Sequence, residues 1–187
     1  MKKSDREIEV RFLEIYKSKL IKKLKALGAK DLGEELLKEV IFADKDITWP
    51  GLDKLVRVRT DGKKVELTYK HHQAVAIDGA LEVEVEVSDF EQIQILLKHT
   101  GLVVIREQEK KRHTFKFKGV TVDIDTWPKV PTYVEIEGKS EKELKQIAAE
   151  LGFDWKKAVF EDAGRVLHHF YNIDVRKLKY FTFAKVK

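Results

Sequence analysis

Apolar and polar residues alternate along much of this chain. The first run is Arg6-Glu7-Ile8-Glu9-Val10-Arg11-Phe12, where Ile8, Val10 and Phe12 alternate with Glu7, Glu9 and Arg11. Alternate side chains of a β-strand point to opposite faces, so such a run has one apolar and one charged face. The same two-residue period predicts strands near 6–13, 37–43, 54–60, 64–71, 80–87, 103–118, 120–126 and 132–137. Thr60-Asp61-Gly62-Lys63 reads as a tight hairpin turn, and Gly119 turns the chain between the sixth and seventh runs. A helical period replaces the alternation at 18–27, 89–99 and 141–151, with a shorter helix expected near 161–171 and an edge strand at 179–185. Ser88-Asp89-Phe90-Glu91 and Ser140-Glu141-Lys142-Glu143 fit the capping-box pattern, and Gly28, Gly101 and Gly152 sit where helices end.

Sorting each strand by parity collects the charge on one side. Arg57 and Arg59 oppose Val56 and Val58; Glu66, Thr68 and Lys70 oppose Val65, Leu67 and Tyr69. Glu82, Glu84 and Glu86 oppose Leu81, Val83 and Val85, and Arg106, Gln108, Lys110 and Arg112 share one face of the long run. Thr121, Asp123 and Asp125 oppose Val120, Val122 and Ile124, and Glu135 and Glu137 oppose Val134 and Ile136. Solvated strand faces favour Thr and other β-formers, whereas nearly every position on this face is Asp, Glu, Lys or Arg. Three successive Glu on one strand also repel one another unless cations intervene. The pattern therefore predicts a sheet curled into a barrel, with its apolar face outward under helices and its charged face lining a lumen. Carboxylates without interspersed His or Cys favour hard cations such as Mg²⁺ or Mn²⁺. Arg and Lys in the same space favour phosphate oxygens. Together they point to a metal–polyphosphate complex.

Composition supports this picture. The chain has 187 residues, is 43% hydrophobic and 37% charged, and carries a formal net charge of +5. One domain spanning 1–187 is expected, with an anionic partner. The absence of cysteine rules out disulfides and thiolate metal sites. No apolar run reaches the roughly 20 residues that span a bilayer, and no apolar core follows Lys2 and Lys3. A cytoplasmic protein with no membrane partner is the expectation, and the Lys-rich face of 17–25 reads as solvated. General nucleic-acid binding is disfavoured, because the basic residues alternate within strands. Homodimer formation is left open.

The ordered elements resemble the CYTH superfamily, also called triphosphate tunnel metalloenzymes. They are Glu7-x-Glu9-x-Arg11, then L-V-R-V-R (55–59), L-T-Y-K (67–70), L-E-V-E-V-E-V (81–87), K-K-R (110–112), V-D-I-D-T-W-P (122–128) and Y-V-E-I-E-G (133–138). The resemblance implies an α+β fold, an eight-stranded antiparallel β-barrel or triphosphate tunnel with helices packed outside. Members include class IV adenylyl cyclases, thiamine triphosphatases, inorganic tripolyphosphatases and some RNA triphosphatases, so RNA 5′-triphosphate ends stay within reach as substrates. By position, Glu7, Glu9, Glu135 and Glu137 are implied metal ligands. Asp123 or Asp125 would assist, and Glu82 and Glu84 join the metal set as parts of the charged lumen. Arg11, Arg57, Arg59, Lys70, Lys110 and Arg112 are implied triphosphate binders, with Glu7, Glu9, Arg11 and Lys70 closest to catalysis. The family usually has Lys where this chain has Arg11, and a Ser-Tyr pair near Gly164-Arg165-Val166-Leu167. The expected reaction is metal-dependent hydrolysis of a small-molecule triphosphate. The alternatives are conversion of ATP to cyclic AMP and pyrophosphate, or non-catalytic binding of polyphosphate or RNA ends. Lys70-His71-His72 is a candidate rim, and Trp127 a candidate base-stacking residue. The pairs His71-His72 and His168-His169 read as surface or packing residues, Trp49-Pro50-Gly51 as a turn, and Phe181 and Phe183 as core cover.

Overall fold

The computed structural model describes residues 6–46, 54–72, 76–77 and 80–187, excluding the side chains of Arg6, Glu7, His72 and Ala80. The expected turn at Trp49-Pro50-Gly51 lies outside the described residues. Among the described residues, ten strands form one sheet: β1 (Arg6–Glu7), β2 (Glu9–Phe12), β3 (Lys30–Asp44), β4 (Lys54–Thr60), β5 (Val65–His72), β6 (Ala80–Val87), β7 (Leu102–Phe117), β8 (Val120–Thr126), β9 (Tyr133–Glu137) and β10 (Tyr180–Phe181). The order is β1-β6-β5-β4-β3-β7-β8-β9-β2, with β10 paired in parallel to β7. β1 and β2 are separated only by Ile8. The first pairs antiparallel with β6 and the second with β9, so the N-terminal segment joins the two ends of the sheet. Counted as one, it makes eight antiparallel strands in a curled sheet. An interior of that size is either filled by side chains or holds one small ligand.

Local chemistry explains the elements. At the β4–β5 hairpin, Asp61 Oδ1 accepts from the backbone N–H groups of Lys63 (2.7 Å) and Lys64 (2.8 Å), and Gly62 takes φ +89°. The helices are α1 (Lys17–Ala26), α2 (Phe90–His99), α3 (Glu141–Leu151) and α4 (Ala163–Tyr171). Asp89, not Ser88, caps α2, accepting from the N–H groups of Glu91 and Gln92. Ser140 caps α3 as the pattern predicts, while the Glu143 carboxylate reaches back to the N–H of Lys139. The alternating residues Val10, Val122, Ile124, Val134 and Ile136 are fully buried beneath α1 and α3, against Leu24 and Leu144. Each such side chain contributes roughly 1.5–3 kcal/mol. α2 covers Val40, Phe42 and Val58 with Leu97.

Several expectations change. β3 runs from Lys30, seven residues earlier than the alternation placed it. A register shift between Asp31 and Glu34, at Gly33 with φ +91°, breaks the period there. The edge strand expected at 179–185 is the two-residue β10. The chain then folds back, and Val186 bridges to Phe181. Helical cover does not reach β6, where Val83 and Val85 are each about half exposed. Phe181 is buried, but Phe183 is 43% exposed and so covers no core. No helix among the described residues is long and apolar enough to cross a membrane.

Candidate functional site

The inward faces of the curled sheet enclose a cavity of about 250 Å³. Its walls carry Arg11, Arg57, Arg59, Lys70, Arg106, Lys110 and Arg112, and against them Glu39, Glu82, Glu84, Glu135, Glu137 and Asp162. Every strand-derived member of this set except Glu39 lies at the parity that alternation predicts. Seven cations against six carboxylates leave the space almost neutral.

The pairs are specific. Arg11 is 3% exposed and bridges two strands, with NH2 at 2.8 Å from Glu9 Oε1 and 2.7 Å from Glu135 Oε2. Its NH1 donates to the carbonyl of Glu161, which docks the chain leading into α4. Arg112 is held by Asp123 (2.7 Å), by both oxygens of Asp125 (2.7 Å each) and by Glu135 (3.2 Å). Asp125 is fully buried and also accepts from Lys110 Nζ at 2.8 Å. Lys70 meets Glu82 at 2.9 Å, and Arg59 meets Glu66 at 2.6 Å and Glu84 at 3.3 Å. Arg57 sits more loosely, 3.7, 3.5 and 3.8 Å from Glu39, Glu82 and Glu84. The Nε atoms of Arg11 and Arg57 are buried and, among the described residues, have no hydrogen-bond partner.

These contacts set the protonation states. Burial opposes the charge on Glu135, but Arg11 and Arg112 outweigh it and hold the carboxyl well below its usual range. Burial likewise opposes the charge on Asp125, where Arg112 and Lys110 win and the shift is downward. Glu137 goes the other way. Burial and then the neighbouring Glu135, Glu9 and Asp123 raise it, with Lys116 opposing. Burial raises Asp123 against the pull of Arg112. Burial lowers Lys110, helped by Arg112.

The proposed metal donors therefore separate into two kinds. Asp123 and Asp125 are spent as braces: Asp125 on Lys110 and Arg112, Asp123 on Arg112 and the Thr114 hydroxyl at 2.6 Å. Glu9, Glu135 and Glu137 form a knot of surplus negative charge across β2 and β9, where Glu9 lies opposite Glu137 and Arg11 opposite Glu135. Their all-oxygen chemistry suits a hard divalent cation. Among the described residues, no three such groups are already gathered as a metal cage. Glu9 and Glu135 instead hold Arg11, so a cation there requires Arg11 to turn to another anion. Glu82 and Glu84 lie across the cavity, occupied with Lys70, Arg57 and Arg59. The backbone of Glu7 lies in β1, beside the same region.

Glu39, Arg106 and Gln108 complete the interior. Gln108 and Arg106 follow from parity, but Glu39 was not singled out by the alternation. The cavity wall also includes Asp162, Ala163, Gly164 and Leu167 at the start of α4, and Val175 beyond it. The tail thus contributes wall where the chain departs from the family's Ser-Tyr pair. Trp127 is 3% exposed, stacks on Phe181 at 5.8 Å and donates to the Tyr133 hydroxyl at 2.7 Å. Lys110 Nζ stands 5.2 Å over its ring. With its ring so engaged, Trp127 offers no free face for base stacking.

A family model described as the CYTH domain matches residues 5–171. A Methanocaldococcus jannaschii protein, provisionally named an adenylate cyclase, is 24% identical over 132 residues, covering 70% of this chain and 75% of the relative. The solved structure of the PH1012 protein from Pyrococcus horikoshii superposes with a TM-score of 0.70 at 28% identity, covering 83% of this chain and 96% of the other. A Hippeastrum protein, provisionally named an adenylyl cyclase and described as having a dominant triphosphatase activity, shares the fold. Its TM-score is 0.60 at 13% identity, over 89% of this chain and 95% of that one.

Proposed function

The chain belongs to the CYTH domain family, and on that premise we propose that it hydrolyses a small-molecule triphosphate inside the cavity, with a divalent cation. The observation that supports this reading is the pair of buried guanidinium Nε donors, on Arg11 and Arg57, that have no partner among the described residues and belong to two side chains lining a cavity rich in further cations. A buried donor without an acceptor is costly, and a phosphate oxygen removes that cost. Charge balance argues for a metal as well. A triphosphate brings roughly four negative charges, each phosphate group carrying one to two. A nearly neutral cavity does not balance them alone.

Glu9, Glu135 and Glu137 are the residues that would hold a Mg²⁺ or Mn²⁺ ion. Bound there, the ion supplies charge neutralisation and acidifies water for attack on phosphorus. Arg57, Arg59, Lys70 and Arg112 grip the phosphate oxygens and keep the chain extended for in-line displacement. Lys110 and Arg112, fixed by Asp125, stabilise charge on the leaving diphosphate. Arg11 exchanges carboxylate for phosphate as substrate enters.

The test is a panel of tripolyphosphate, ATP and thiamine triphosphate, each with Mg²⁺, Mn²⁺ or EDTA, with products separated. Metal-dependent release of free phosphate is expected, and EDTA abolishes it. Release in EDTA at the metal-loaded rate refutes the reading. The name of the Methanocaldococcus jannaschii relative favours a second reading, adenylyl cyclase, which needs the same grip but attacks the α-phosphorus. Cyclic AMP and pyrophosphate from ATP identify it. Tight binding of tripolyphosphate without turnover of any substrate identifies a binding module.

A further inference from the structure

Glu39 lies midway along β3 and is 2% exposed, although no strand alternation marks it as special. Its Oε2 accepts from Gln108 Nε2 at 2.5 Å. The carbonyl of that same amide, Gln108 Oε1, accepts from Arg106 Nε at 2.6 Å. Arg106 NH1 then donates to the backbone carbonyl of Val175 at 3.0 Å, in the segment after α4. On its other side, Glu39 Oε1 has no hydrogen-bond partner among the described residues and stands 3.7 Å from Arg57 NH1.

Arg106 is 4% exposed, and among the described residues it makes no ion pair. Its compensating charge is Glu39, one amide away. A buried cation and a buried anion thus share Gln108. The amide can point only one way, with oxygen toward Arg106 and nitrogen toward Glu39. Low surrounding polarity strengthens such a chain as a unit and makes a broken one costly. One end reaches Arg57, a cavity-lining residue whose buried Nε has no partner among the described residues. The other fastens the wall formed by Val175, beside Leu167.

We infer that Glu39 is a positioning residue: through Gln108 and Arg106 it couples the C-terminal wall of the cavity to the phosphate-facing Arg57. The inference rests on the cavity being the triphosphate site, but its first test does not. In hydrogen–deuterium exchange without ligand, Glu39→Gln removes the charge and keeps the shape. Gln108→Met removes the link and keeps both charges. Both should raise exchange across 174–179 by about threefold or more while α1 and α3 stay protected. Unchanged exchange in that segment overturns the relay, whether or not any substrate is turned over.

The second test is a double-mutant cycle on KM for tripolyphosphate with Mg²⁺. Glu39→Gln and Arg106→Gln should each raise KM about tenfold with a smaller change in kcat, and together about tenfold. A roughly hundredfold combined rise means independent contacts and overturns the coupling. Should wild-type protein fail to bind tripolyphosphate by calorimetry, the proposed function falls, while the exchange result still decides the relay. If Glu39→Gln fails to fold, Gln108→Met carries both measurements.

Discussion

Asp125→Asn changes one buried atom type and almost no volume, so its effect isolates a charge. Asp125 has no exposure and accepts three hydrogen bonds, from Lys110 at 2.8 Å and from Arg112 at 2.7 Å twice. Breaking a buried ion pair by removing one partner costs about 3–5 kcal/mol. Arg112 retains Asp123 and Glu135, so Lys110 bears most of the loss and the lower end of that range applies. At this chain length a kcal/mol shifts Tm by roughly 2–4 °C, so a loss near 3 kcal/mol lowers Tm by about 6–12 °C. The assay is thermal unfolding in EDTA, followed by tripolyphosphate turnover with saturating Mg²⁺. In the brace role, the melt shifts without metal, and KM rises because Arg112 and Lys110 lose their alignment. Were Asp125 instead a metal ligand, the EDTA melt would stay put and the metal requirement alone would change. A Tm shift below about 2 °C in EDTA refutes the reasoning.

Arg57→Gln removes a donor with a partnerless Nε and should weaken tripolyphosphate binding about 10- to 150-fold, equivalent to a charge-assisted hydrogen bond of roughly 1.5–3 kcal/mol; calorimetry reads it, and unchanged affinity removes Arg57 from the grip. Burial opposes the charge on Asp125 and Glu39, yet their cationic neighbours hold both carboxyls below the usual range. The unfolded chain therefore binds more protons first, so these two contributions are complete above about pH 4 and drain below it, by up to about 1.4 kcal/mol per pH unit each. Asp123 and Glu137, shifted upward, act oppositely. The comparison to make is thus urea unfolding of wild type and Asp125→Asn from pH 3 to 7, and the gap between the curves should close on acidification; a widening gap contradicts the assignment. Gly138→Ala places a Cβ 2.9 Å from Leu144 Cδ2 and Glu143 Oε2 and 3.1 Å from Val120 Cγ1. Glu143 is already committed to the Lys139 N–H, so overpacking should cost about 1–3 kcal/mol, seen as a lower Tm; an unchanged melt shows that α3 yields freely.

What was legible in the sequence was parity. Where a strand keeps strict alternation, as in Arg57-Val58-Arg59 or Asp123-Ile124-Asp125, the predicted inward residue is in the cavity wall or bracing it, but at the end of β6 the same alternation leaves Glu86 exposed. Parity failed where both faces are apolar. From Val40 to Ala43 the inward position is Ile41, so the signature that would have drawn attention to Glu39 breaks two residues later. The Gly33 irregularity hid the first half of β3 for a related reason, since one shifted register inverts every later side chain. The tail was legible as a helix, but not as a wall. Its docking depends on Arg11 donating to the Glu161 carbonyl and Arg106 to the Val175 carbonyl, contacts between residues 150 and 69 positions apart. No local pattern encodes such contacts. Roles were harder still: Asp123, Asp125, Glu135 and Glu137 look equivalent along β8 and β9. Cross-strand contacts distinguish them: Arg112 holds Asp123 and Asp125 at 2.7 Å and Glu135 at 3.2 Å, and Asp125 alone of the four also accepts from Lys110.

Without ligand, the cavity's cations are mostly satisfied by its own carboxylates, and that arrangement has a consequence for affinity. On the proposed function, an entering triphosphate would draw Arg11 from Glu9 and Glu135, pairs made at 2.8 and 2.7 Å. The guanidinium gains phosphate oxygens, but the two carboxylates are left facing Glu137, whose charge their presence already disfavours. Anion binding alone therefore creates the uncompensated negative knot that a divalent cation relieves. Cation binding alone meets Arg11 in the way. Each ligand removes the obstacle to the other, so their free energies of binding are linked and must be reciprocal. The metal should tighten triphosphate binding by the same factor by which triphosphate tightens the metal. This coupling follows from placing a strictly charged face inside a curled sheet: in a confined space no charge can change partners without forcing a neighbour to do the same.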